Sequence, residues 1–170
     1  VTPGTSPGIL TMNGDYNQAA LGSLNIEIAG TNAATPDFDQ LVVSGAATLD
    51  GALKVSLLSG FIPAGGNTFR ILDKTSAGPI SGTFTGLAEG AIFTVGTKTF
   101  QITYLGGTGN DVVLTAVPTI SIDDVQLAEG NSGTTNLIFT VSIGAAPASD
   151  VTVTLNTADG TATAAGISAA

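Results

Sequence analysis

Apolar and polar residues alternate with a period of two along most of this chain. In "GSLNIEIAG" the residues Leu24, Ile26 and Ile28 alternate with Asn25 and Glu27. The runs "DQLVVSG", "GALKVSLLSG", "NTFRILD", "GTFTGL", "KTFQITYLGG" and "NDVVLTAV" come after it, each bounded by Gly, Asn, Asp or Pro. Successive side chains on a strand point to opposite faces, so this pattern predicts short β-strands joined by turns rather than helices of period 3.6. "DQLVVSGAATLDGALKVSL" sets strands about ten residues apart around a Gly-Ala-rich bend, as stacked rungs of a solenoid or a meander would. Pro118 in "AVPTISIDD" cannot donate to a strand ladder and marks the best boundary. Beyond it, "NLIFTVSI" and "DVTVTLNT" again carry strand-like apolar residues.

Composition supports an all-β chain. Of 170 residues 43% are hydrophobic and 10% charged, enough apolar material for a substantial core. Gly, Thr, Val, Ile and Ala dominate, the palette of pleated strands and tight turns. No apolar run approaches the roughly 20 residues that span a bilayer as a helix, and no membrane insertion is expected of this segment. The opening "VTPGTSPG" has neither a basic n-region nor an apolar h-region, so residue 1 reads as an interior point of a longer polypeptide.

Charge narrows the partners. Thirteen acidic residues against four basic ones (Lys54, Arg70, Lys74, Lys98) give a net charge of -9, which repels nucleic acid and anionic membrane surfaces. Residues 1–117 hold eight acids and all four bases, whereas 118–170 hold five acids and no base. With no Cys and no His, thiolate and imidazole chemistry is excluded, zinc with it. Carboxylates and backbone oxygens remain, and these suit hard cations such as calcium.

One stretch fits a calcium motif by its spacing. "GGTGNDVVLT", Gly106–Thr115, matches the nonapeptide G-G-x-G-x-D-x-U-x of calcium-binding RTX parallel β-helices. Those ions sit between consecutive stacked turns, and here no second copy lies nearby. The better reading is a glycine turn joining two strands, with Asn110 and Asp111 bonded to the turn backbone. By the same turn chemistry Asn13-Gly14 reads as hairpin-like, and Asp37 and Asp39, flanking Phe38, read as a loop before a strand.

Two resemblances cover the chain. "TPGTSPGILTMNGDYNQAALGSLNIEIAG", "FDQLVVSGAATLDGALKVSLLSGF", "GNTFRILD" and "GTFTGL" resemble the C-terminal end of the β-solenoid passenger region of autotransporter-like bacterial surface proteins, over about residues 2–117. That likeness implies a right-handed parallel β-helix whose last rungs form a cap, used as an adhesin or as a stalk for other domains. Residues 118–170 are similar to the opening half of a Calx-beta domain, an immunoglobulin-like β-sandwich, through "EGNSGTT" at Glu129–Thr135 and "ADGTAT" at Ala158–Thr163. Such a sandwich takes roughly 100 residues, about twice the length of chain after Pro118. Members of this family often bind calcium through acidic loops at one end. The carry-over gives Asp123, Asp124, Glu129 and Asp159 as candidate ligands. The Ser-Asp-Tyr that usually comes after the second motif is absent, since Gly166 leads into Ile167 and Ser168. Structural roles compete at three of the four: Asp123-Asp124 as a solvated strand start, Asp159-Gly160 as a turn.

The expected fold is thus all-β: a β-solenoid-like or β-helix-like segment over 1–117 with a terminal cap, then a partial immunoglobulin-like β-sandwich over 118–170. No catalytic constellation accompanies it. Ser and Thr lack a His partner, and neither a phosphate loop nor a GxSxG elbow occurs. The expected function is structural or adhesive, in a large extracellular or cell-surface bacterial protein that builds a surface filament. Its partners are then other copies of itself or flanking repeats of the same polypeptide, since a non-closing head-to-tail contact generates a filament. A calcium-dependent binding module and a glycan-active β-helix with paired carboxylates are the alternatives.

Overall fold

A computed structural model describes residues 1–127, 136–143 and 150–156. The described residues contain thirteen β-strands and no helix. The chain is all-β, as its period-two pattern predicts.

Three sheets organise residues 1–82. Strands β1 (Ile9–Met12), β4 (Gln40–Val43) and β7 (Thr68–Lys74) lie parallel in one sheet. Strands β2 (Tyr16–Asn17), β5 (Ala47–Leu49) and β8 (Ser81–Gly82) lie parallel in a second, and β3 (Ser23–Ile28) pairs with β6 (Ala52–Leu57) in a third. The chain visits the three in turn. Ile9 faces Gln40 and Leu41 faces Leu72, each pair 31 residues apart, so one circuit takes about thirty residues. The sequence-based rungs ten residues apart are therefore neighbouring sides of one circuit rather than stacked strands. Asn13-Gly14 is likewise no hairpin, because it turns the corner from the first sheet into the second.

Antiparallel strands end this arrangement. Strands β9 (Ile92–Val95), β10 (Lys98–Gly106) and β11 (Asp111–Val117) form a meander, and β11 pairs antiparallel with β7, extending the first sheet to six strands in the order β1-β4-β7-β11-β10-β9.

One core serves all three sheets. Leu24, Ile26 and Ile28 from the third, Tyr16 and Leu49 from the second, and Leu41, Val43, Phe69, Ile71, Ile102 and Leu114 from the first are buried in a single cluster. Phe69 sits at its centre, with ring centroids 5.5 Å from Phe38, 6.3 Å from Phe61 and 6.1 Å from Phe100. At the corners the circuits approach closely: a Cβ on Gly51 (φ +64°) would lie 2.4 Å from the Gly22 carbonyl oxygen, so only glycine fits.

A β-bulge in β7 sets the direction of the side chains at the end of that strand. Arg70 pairs with Val113 and Leu72 with Val112, so one extra β7 residue, Ile71, falls between them. The insertion reverses the facing of the strand: Phe69 and Ile71 point inward before it, Leu72 and Lys74 after it.

Past Val117, the Pro118 ring packs over Gly65, where a Cβ would come within 3.0 Å of it. Next comes a two-stranded antiparallel ribbon, β12 (Ile120–Ile122) with β13 (Val141–Ile143). Ile120 pairs with Ile143 and Ile122 with Val141, so the four side chains share one face, and all are exposed. Residues 150–156 are described without strand structure.

Candidate functional site

A buried polar cluster lies where the β10–β11 turn meets the end of β7. The turn Gly107–Asn110 brings Asn110 and Asp111 inward, and both are buried. Asp111 Oδ1 accepts the backbone N–H of Lys74 at 2.9 Å, and Oδ2 lies 3.4 Å from the Arg70 guanidinium. Asn110 Nδ2 donates to the Lys74 carbonyl at 2.9 Å and to the Ser76 carbonyl at 2.7 Å, while its Oδ1 accepts from the Thr108 hydroxyl. Asn110 and Asp111 thus bond to a strand end more than thirty residues away, where turn chemistry alone pointed to their own backbone. Gly107, at φ +58°, allows this, since a Cβ there would sit 2.0 Å from Asp111 Oδ2.

Lys74 completes the cluster. The β7 bulge turns it inward to 4% exposure, and Nζ donates to the carbonyls of Ser76, Ala77 and Gly78 at 2.9, 2.8 and 2.9 Å. Arg70, half-exposed, also reaches Asp73 at 3.3 Å. The Lys74 ammonium and the Asn110 amide nitrogen both donate to carbonyls of the same chain. Chemically the cluster is a lock between loop and turn, with no nucleophile and base left in contact.

A second buried carboxylate ties neighbouring circuits together. Asp39, read as part of a loop, is fully buried just before β4; its Oδ1 accepts the Gly8 N–H at 2.7 Å and its Oδ2 the Glu27 N–H at 3.0 Å. Burial raises its pKa; the two hydrogen bonds act against that shift and the nearby Glu27 charge adds to it. Tyr104 is the corresponding phenol. Its hydroxyl donates to the Leu87 carbonyl at 2.6 Å and accepts the Phe84 N–H at 3.0 Å, and burial pushes its pKa up to about 12.

Of the four candidate calcium ligands, Asp123 and Asp124 lie among the described residues. Asp123 and Asp124 are exposed, and Asp123 closes the ribbon: its Oδ1 accepts the Thr140 N–H at 2.7 Å and its own N–H reaches the Thr140 carbonyl at 3.2 Å. Glu129 and Asp159 lie outside the described residues. Among the described residues no three Asp or Glu side chains gather where they could hold a metal ion, and no helix is long and apolar enough to cross a membrane.

Compared with protein families, curated proteins and solved structures, the chain matches none. The site therefore rests on its own geometry. Sequence reasoning passed over Arg70, Lys74 and Asp39 as functional polar groups. The Asn-Asp pair ending "GGTGND" was the one available signal, because it marked an amide and an acid held at a turn. Lys74 carried none, since strict alternation from Phe69 and Ile71 puts it outside.

Proposed function

We propose that this chain is a structural or adhesive segment of a large bacterial extracellular or cell-surface protein: a β-solenoid stem over residues 1–117, then the opening half of a Calx-beta-like sandwich over 118–170. The observation that carries this reading is the progression of parallel strands in steps of 29, 31 or 33 residues around one apolar core, ending in an antiparallel meander. Such a body is a rod whose length grows by circuits, and each circuit contacts only its neighbours. The buried acids Asp39 and Asp111 supply hydrogen bonds between segments, which suits a scaffold better than a reaction centre. On this reading the chain is not an enzyme, and calcium is the one cofactor its acidic loops would suit.

The partners under this reading are other copies of the chain or flanking repeats of the same polypeptide. Among the described residues, Ile120, Ile122, Val141 and Ile143 form an exposed apolar face on a two-stranded ribbon, and such a ribbon is marginal in water until something packs on it. Sedimentation velocity over a concentration series tests this. The whole chain should assemble, and deleting 118–170 should abolish assembly while leaving 1–117 folded. A truncated protein that still polymerises sinks the proposal.

A further inference from the structure

We propose that the loop after β7 is a cage for a monovalent cation, which the chain fills with its own Lys74 ammonium. The inference goes beyond the structural role above and does not depend on it. Three consecutive carbonyls, those of Ser76, Ala77 and Gly78, converge on Nζ at 2.8–2.9 Å. Carbonyl dipoles aimed at one point repel each other, and a positive charge at their focus removes that cost. Gly78 supplies part of the bend with φ +86°. The distances suit an ammonium or potassium-sized ion, whereas calcium holds its oxygens at about 2.3–2.6 Å. Asn110 adds a second tie on the Ser76 carbonyl, so the cage and the Gly107–Asn110 turn order each other.

Two of the three residues that supply the carbonyls, Ala77 and Gly78, also border a cavity. It measures about 370 Å³, and Pro79, Thr108, Gly109 and Asn110 complete its lining. Removing the lysine side chain would leave three carbonyls around a space that a solvent ion can reach. The turn that resembles a calcium motif is thereby secured by a covalently tethered cation, with no metal to lose on chelation or dilution.

The test is a set of thermal melts of the full chain and of Lys74→Ala in potassium, methylammonium and choline chloride at equal ionic strength. The parent chain should melt at the same temperature in all three. Lys74→Ala should melt lower by at least about 4–8 °C, the equivalent of one buried interaction in a domain near 100 residues. It should recover part of that loss in potassium or methylammonium but not in choline, rising with the logarithm of concentration as site binding requires. A variant that melts like the parent, or one that gains equally from all three salts or from none, overturns the cage. Should Lys74→Ala not fold, the parent decides the matter by nitrogen-15 NMR of its lysine ammonium groups. The Lys74 protons should exchange at least tenfold more slowly than those of Lys54 and Lys98, and equal exchange rejects the proposal.

Discussion

The carboxylate of Asp111 and the backbone N–H of Lys74 meet at 2.9 Å across 37 residues of sequence. This bond, with those of Asn110, fastens the β10–β11 turn to the end of β7. Asp111→Ala would leave the Lys74 N–H buried without an acceptor, at a cost of about 1–3 kcal/mol. Urea denaturation of the variant should show that loss. Calcium should not reverse it, because the carboxylate acts on an amide rather than on an ion.

Asp39 makes stability depend on pH in the direction opposite to a salt-bridged carboxylate. Its pKa is raised by burial, so the folded chain holds this proton more tightly than the unfolded chain does. Between the ordinary aspartate value near 3.9 and the raised folded value, Asp39 therefore contributes stability that is lost as pH rises. Asp39→Asn should flatten the pH dependence in that window. It should also cost about 1–3 kcal/mol at neutral pH, since an amide nitrogen cannot accept one of the two N–H groups from Gly8 and Glu27. Stability curves at pH 4 and 7 check both, and an unchanged slope would remove Asp39 as the source.

Tyr104 governs the alkaline side. With a folded pKa of about 12 against 10 when unfolded, its proton is bound more tightly in the folded chain, so its contribution is lost as pH climbs from 10 to 12. Tyr104→Phe strips the Phe84 N–H and the Leu87 carbonyl of their shared partner. It should cost about 1–3 kcal/mol at pH 7. Spectrophotometric titration of the phenols should show one group titrating about two units late in the parent chain and none so late in the variant.

Calcium should bind this segment weakly. Asp123 already spends Oδ1 on Thr140, and calcium asks for six to eight oxygens. Titration calorimetry is expected to find no site tighter than about 10⁻⁴ M, the weak end of extracellular modules. Asp123→Ala should loosen the β12–β13 ribbon, read as faster amide exchange at Thr140. A micromolar site abolished by that substitution, or by Glu129→Ala, would favour the calcium-binding reading instead.

Much of the fold is legible in the sequence. Leu24, Ile26 and Ile28 alternate with polar residues and are buried as their pattern requires, and the glycines between runs mark corners. The site is legible only in part. "GGTGND" announces a turn with two side chains held in place, but apart from Thr108 their partners lie on β7 and the loop after it, beyond the reach of local turn rules.

By itself the sequence determined that this chain forms strands, where most of them turn, and that its chemistry is carboxylate and amide without thiol or imidazole. Those properties derive from period, glycine placement and composition, which are local. Tertiary structure alone decided that strands about ten residues apart belong to different sheets while those 29 to 33 apart pair, because pairing depends on how the corners bend. It alone decided that Lys74 points inward. A single extra residue at Ile71 reverses every side chain after it, and that bulge exists only because β11 lies against β7 in a shifted register.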